Sequence, residues 1–314
     1  MLPRLIGLCL VFAGPVFGAG HPLDIPPPLQ VALEAVRNGH YRQTLEAIPS
    51  LEAGFPGHPF PPLLAAEAAW GLIFCQTSHI NSREIWNVAD TKSSRFDDRF
   101  FQAVEQAMAA SGALRRRPET AALAAFYDGL AHAVRTRLYL LREQAMKAGA
   151  EGKQMRASLR EAVAKDPSLA ADADAGLGVY NYYADVLSPL IKLFRFFLLL
   201  PGGDREKGLE QLRVASDQAV LVAPEARYEL AKILALRENR PADALPLFHS
   251  LSDQYPDNAI YSLSAAIQAE RIGKKNIARD YAQRAVLASR QMDDVCRARL
   301  EGASAQALGR LQGN

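Results

Sequence analysis

Threonine is nearly missing from this chain: five in 314 residues, against 53 alanines and 41 leucines. Strands favour β-branched residues and helices favour Ala and Leu, so an all-β fold is excluded. An excess of charge of one sign is missing as well. Lys and Arg number 36, Asp and Glu 34, and the net charge is +2. That balance argues against a broad nucleic-acid surface. Cysteine is scarce, at three residues. No apolar run is long enough to cross a bilayer comfortably. The most hydrophobic stretch past the N-terminus, Leu187 to Leu200, would reach about 21 Å as a helix. A hydrocarbon core is about 30 Å thick. What remains, at 49% apolar and 22% charged, is a chain able to bury a sizeable core.

The first twenty residues read as an address. Arg4 is followed by the apolar run Leu5 to Phe17 and by the small residues Gly18, Ala19 and Gly20. This is the layout of a secretory signal. Cleavage is expected after Gly18 or Gly20, leaving His21-Pro22 at the start of an exported chain, periplasmic or secreted. Cys9 lies inside the apolar run behind Leu8, which does not suit lipid modification. The mature chain then holds Cys75 and Cys296. An exported pair can oxidise. An elongated array would hold them apart, and two separate buried thiols are the expectation.

From Leu29 onward the pattern is one of helices with short breaks. The spacing predicts helices over 29–37, 41–53, 61–77, 94–110, 119–148, 152–165 and 172–185, with residues 78–92 as the longest loop. The C-terminal part repeats. Ala244 and Ala278 stand 34 residues apart, Asn239 falls beside Gly273 at a turn, and Pro224 and Pro256 precede successive units. Residues 227–237 pair with 242–254, and 260–272 with 276–289. Small residues in the second helix let it approach the first. Asn or Gly tolerates a left-handed turn, and proline ends one unit before the next.

With Tyr255-Pro256-Asp257-Asn258-Ala259 and Gly273-Lys274-Lys275-Asn276-Ile277-Ala278, residues 203–289 resemble a tetratricopeptide repeat array. The large-then-Gly pair of that family is replaced by Ala265-Ala266 and Ala231-Lys232. The expected fold is all-α: antiparallel helix pairs stacked as a tetratricopeptide-like α-solenoid, irregular in the middle. One domain over 21–314 would comprise a degenerate repeat at 29–59, irregular helices at 60–200 and the clearest repeats at 203–289. A narrower resemblance covers 176–213. Gly176-Leu177-Gly178-Val179-Tyr180-Asn181 and Gly203-Asp204-Arg205-Glu206-Lys207-Gly208-Leu209 are similar to the tetratricopeptide-repeat 39 family and its yeast relative at the mitochondrial outer membrane. That resemblance supplies no active site and implies work at a membrane or in lipid handling.

Chemistry has few candidates. There is no HExxH or CxxC, no nucleophile elbow and no phosphate loop. Cys75 and His79 could face one metal, but two ligands do not make a site. Asp97-Asp98 and Asp293-Asp294 are adjacent and point to different sides of a helix. Asp172 and Asp174 suit a helix start, and Arg115-Arg116-Arg117 suits a helix end. Tyr180, Tyr182 and Tyr183 fit packing between helices with their hydroxyls at the rim. Neither a cofactor nor catalysis is expected.

Two functions follow. The first is a non-enzymatic scaffold or adaptor in the cell envelope, presenting a concave face to a protein or peptide partner. Tyr228, Lys232, Tyr261 and Arg271, from the first helices of the clear repeats, are the candidates for that face. The alternative is a carrier of a lipid or other hydrophobic ligand. Within Leu187–Leu200, Leu193, Phe196, Phe197 and Leu200 share a face opposite Lys192 and Arg195. This run suits a buried core helix with snorkelling cations, a groove for an acyl chain, or contact with a membrane surface.

Overall fold

The computed structural model describes residues 21–86, 88–186 and 202–313. The leader at 1–20 and the hydrophobic candidates Leu193, Phe196, Phe197 and Leu200 lie outside the described residues. Thirteen α-helices are described, and no strand among these residues. They are α1 (Pro27–Arg37), α2 (Tyr41–Gly54), α3 (Phe60–Thr77), α4 (Asp97–Leu114), α5 (Ala121–Leu141), α6 (Ala145–Lys165) and α7 (Ala170–Val186). There follow α8 (Arg205–Gln218), α9 (Ala223–Leu236), α10 (Pro241–Gln254), α11 (Ala259–Arg271), α12 (Lys275–Ser289) and α13 (Asp294–Gln312). Consecutive helices pack on one another as a stack of antiparallel pairs, α1/α2 through α11/α12, with α13 at the end. The fold is all-α and solenoid-like.

The same turn closes four of the pairs. Gly39, Glu143, Asn239 and Gly273 each take positive φ. The amide just beyond each returns to the preceding helix: His40 to Ala35 O, Gln144 to Tyr139 O, Arg240 to Leu234 O and Lys274 to Ala269 O. This satisfies carbonyls that a helix end leaves open. Three of the turns carry Gly or Asn and were readable. The fourth carries Glu143, which gives no local signal. The break expected at 149–151, between helices at 119–148 and 152–165, therefore falls earlier: α5 ends at Leu141, α6 starts at Ala145, and the reversal is at 142–144. These helices, at 21 residues each, are longer than the repeat allows, which is the irregularity of the middle. α13 had no precedent in the repeat pattern.

Small residues set the closest approaches. Ala244 and Ala278 are fully buried. A Cβ on Gly178 would stand 2.9 Å from Gly208 O, and one on Gly208 would stand 2.6 Å from Tyr182 N. Thus α7 and α8 touch backbone to backbone. Asp204 caps α8 by accepting from Lys207 N at 3.0 Å, while its own N–H donates to Asn181 O. The Gly203–Leu209 element is therefore a packing device.

The stack returns on itself. First helices touch successively from α1 to α9, and α13 packs on α3. The α1–α2 turn lies against the α12–α13 turn: Gly39 faces Met292, and Asp293 Oδ2 accepts from Arg42 N at 3.1 Å. Arg42 Nη2 also lies 2.9 Å from Asp294 Oδ1, so the two adjacent aspartates serve one partner after all. Cys75 on α3 and Cys296 on α13 are both fully buried and are joined by a disulfide. This corrects the expectation of separate thiols. An array that curves through six pairs brings its last helix to its first ones, which local spacing does not reveal.

The prediction concerns this clasp. Mature protein unfolded without reductant should show no free thiol, and Cys75→Ser with Cys296→Ser should lower the unfolding free energy by about 3–5 kcal/mol. Denaturant titration of both proteins would measure it, with m rising in the double variant as the unfolded chain opens.

Candidate binding surface

The inner side of the stack is polar and aromatic. Glu67 on α3 pairs with Arg137 on α5, and the Arg137 charge is also held by Glu229 and Glu225 on α9. Burial alone would lower the Arg137 pKa, and the three carboxylates more than reverse it. Arg137 lies over the Trp70 ring at 4.5 Å, and Trp70 stacks on Phe74. The indole N–H of Trp70 has no partner among the described residues. Glu229 takes Lys232 Nζ at 2.6 Å, and Glu225 takes Arg37 through two parallel bonds of 2.9 Å. Arg37 Nη2 also donates to Leu221 O at 2.6 Å.

Tyr228 and Tyr261 meet at 5.6 Å between ring centroids, with Phe248 and Tyr255 around them. Burial pushes the hydroxyls of Tyr41, Tyr183, Tyr228 and Tyr261 well above the usual tyrosine range, and Tyr255 up to about 12. No side chain among the described residues hydrogen-bonds the Tyr41 or Tyr261 hydroxyl.

Of the four residues expected on this face, Tyr228, Lys232 and Tyr261 do come together. Lys232 lies over the Tyr228 ring. Arg271 stands apart. Its guanidinium donates to Ala235 O at 2.7 Å and Asn239 Oδ1 at 2.7 Å, bracing the α9–α10 turn. Glu67, Arg137, Tyr41 and Trp86 were missed. The first three lie on separate helices with no shared spacing. Trp86 did leave a trace, as one of two tryptophans in the chain, set in the polar stretch 78–92.

That stretch enters the inner side. Trp86 stacks on Phe248 at 5.5 Å and donates its indole N–H to Tyr228 Oη. Ile85 is fully buried. The Tyr228 that was expected to meet a partner therefore meets a segment of its own chain.

Other motifs prove structural. Asp172 is buried and accepts three backbone N–H groups, from Val220, Leu221 and Val222, so it caps the entry to α9 from another helix. Tyr182 Oη donates to Glu238 at 2.5 Å, and Arg115 pairs with Asp128 and Glu161. Cys75 is bonded to Cys296, which removes it from any pairing with His79. No group of three metal-ligating side chains occurs among the described residues. No described helix is long and apolar enough to cross a membrane. Two adjoining clefts at the seam, of about 460 and 590 Å³, share Gln291. Arg42 pairs there with Asp293 and Asp294 and Arg284 with Asp253, and His40 Nε2 lies 3.4 Å from Asp257.

No protein-family model and no curated protein matches the chain, so the narrower resemblance at 176–213 gains no support there. Among solved structures, the chain is similar to the C-terminal part of a tetratricopeptide repeat-containing protein from Cytophaga hutchinsonii, at 14% identity and a TM-score of 0.35, over 91% of this chain and 96% of that one. At that TM-score the likeness carries no argument, and the fold rests on the helices described above.

The inner tyrosines carry a pH prediction. Their folded pKa is raised, so the stability they contribute is full below the unfolded value of about 10 and is lost as pH rises above it. Tyr261→Phe keeps the ring and removes one proton from this linkage. Its stability should fall less steeply above pH 10, by up to about 1.4 kcal/mol per pH unit. Urea titrations from pH 8 to 11 check this, and equal slopes would contradict it.

Proposed function

We propose that this is an exported, non-enzymatic helical-repeat protein that scaffolds a protein or peptide partner on its inner face, in the periplasm or outside the cell. The observation that carries the reading is the state of that face. Glu67, Arg137 and Lys232 keep 33, 30 and 21% of their side-chain surface open although they sit between opposed helices. A wall of aromatic rings and half-open ion pairs offers backbone amides both donors and acceptors, while the rings supply contact area at little entropic cost. Export draws on the signal-like first twenty residues and on the Cys75–Cys296 bond, since disulfides persist in oxidising compartments. The carrier reading rests on Leu193, Phe196, Phe197 and Leu200, for which no described contact speaks.

Site-specific photo-crosslinking in the cell envelope tests the reading. A photoreactive phenylalanine at position 261 should capture a discrete partner, and the same group at 277, on the outward side of α12, should not. Capture from 277 with none from 261 would move the partner to the outer surface and sink the proposal.

A further inference from the structure

The segment between α3 and α4 is built as a closed loop with a narrow neck. Ser78 bridges Ala89, and Asp90 N donates to Thr77 O at 2.7 Å. Beyond the neck, two apolar side chains hold the loop to the body. They are Ile85 and Trp86, the latter seated among Tyr228 and Phe248 with Tyr261 behind. Two arginines of α13 hold the loop through its backbone. Arg310 donates to Ser82 O at 3.0 Å and to Ser82 Oγ at 2.8 Å, and Arg299 donates to Ser78 O.

The body is arranged to survive the departure of this loop. Arg310 is already bound by Glu270 through bonds of 2.9 and 2.7 Å, so no buried cation is orphaned when Ser82 leaves. The Cys75–Cys296 bond fixes α13 to the last turn of α3, just before the neck. The neck bonds lie within the segment itself and between it and α3, so they can persist while the tip moves. What a departing tip would uncover is an aromatic cradle with a hydroxyl acceptor, Tyr228 Oη, and a guanidinium that takes any backbone carbonyl.

We propose that Ser78–Trp86 is a built-in occupant of a peptide-binding groove, and that the partner is a protein segment with a turn like that at Asn81–Glu84, whose aliphatic–tryptophan pair replaces Ile85 and Trp86. The inference rests on the inner-face reading above and adds the regulation of that face: the loop holds the groove closed until a competing segment displaces it. Arg310 fixes the backbone four residues before the tryptophan, and Tyr228 selects an indole over a phenyl ring by accepting its N–H. The selection is local, so it applies to any chain that carries the pair just after such a turn.

The test uses the mature, disulfide-intact protein and a fluorescein-labelled peptide with the sequence of residues 78–92 as probe. Trp86→Ala vacates the cradle. Fluorescence anisotropy should show the probe binding this variant at least 10-fold more tightly than the wild type. A peptide carrying Ile85→Ser and Trp86→Ala should not bind, and Tyr228→Phe in the Trp86→Ala background should weaken the probe several-fold. A folded Trp86→Ala protein that ignores the probe overturns the proposal. If Trp86→Ala does not fold, hydrogen exchange in the wild type decides. The Trp86 indole N–H should exchange at least 100-fold faster than the amides of α9, and exchange of both only together would show that the loop is core. Probe binding without any crosslink from position 261 would keep the groove and remove the cellular reading.

Discussion

The buried Arg37, paired with Glu225, and the Cys75–Cys296 bond join residues 188 and 221 positions apart, and both tie the first helices to the last ones. Neither is a local consequence of helix formation. Arg37 is 8% exposed, and removing a guanidinium from water costs several kcal/mol unless its donors are met. Here Glu225 meets two of them, Leu221 O a third, and Glu34 lies 3.3 Å from Nη1. The carbonyl of Arg37 in turn receives Asn258 Nδ2 at 2.9 Å, at the N-cap of α11. One residue at the end of the first helix thus sets the position of two helices in the last repeats. An open solenoid would leave Arg37 in water and gain nothing from this arrangement.

Closure changes what a concave surface is. In an extended array the first helices of successive pairs line a groove that faces solvent. Here α3 and α5 face α9, so Arg137 feels carboxylates from both sides. Charges placed there are partly desolvated, and their interactions are stronger and less screened by salt than on an outer surface. The outer clefts beside Gln291 show the contrast: Arg42 and Arg284 pair with carboxylates at the surface, and Arg297 donates to Met292 O. The same desolvation holds the inner tyrosines protonated far above their usual range, which keeps the aromatic wall neutral.

How much of this was legible in the sequence depends on the range of the cause. Gly39, Asn239 and Gly273 announced their turns because positive φ selects Gly and Asn. Ala244 and Ala278 announced close helix contacts because small side chains let helices approach, and both are fully buried. Glu143 adopts the same backbone conformation as those turns and announced nothing, so the break between α5 and α6 was expected several residues too late, at 149–151. The face shared by Tyr228, Lys232 and Tyr261 was legible from helical register in the first helices of two successive repeats. Their neighbours Glu67, Arg137 and Trp86 were not, because curvature accumulated over six pairs decides which helices face each other. The cysteine pairing failed for the same reason.

The loop after α3 shows how closure and access are reconciled. A sealed interior lined by half-open ion pairs cannot hold a partner, and an open one exposes aromatic surface to any passing chain. Ser78–Trp86 places an indole where a foreign one would sit, while His79, Arg83 and Glu84 stay exposed to water. Its grip consists of one aromatic seat, one aliphatic anchor and backbone carbonyls. With the Ser82 hydroxyl that Arg310 also binds, these are interactions that another segment with the same turn can reproduce, and none requires a particular charge. The device asks only that the competing segment bring an equal apolar pair and pay its own ordering entropy. Because Arg310 keeps Glu270 and α13 keeps its disulfide, the exchange leaves the frame of the interior as it was, and only the identity of the inserted chain changes.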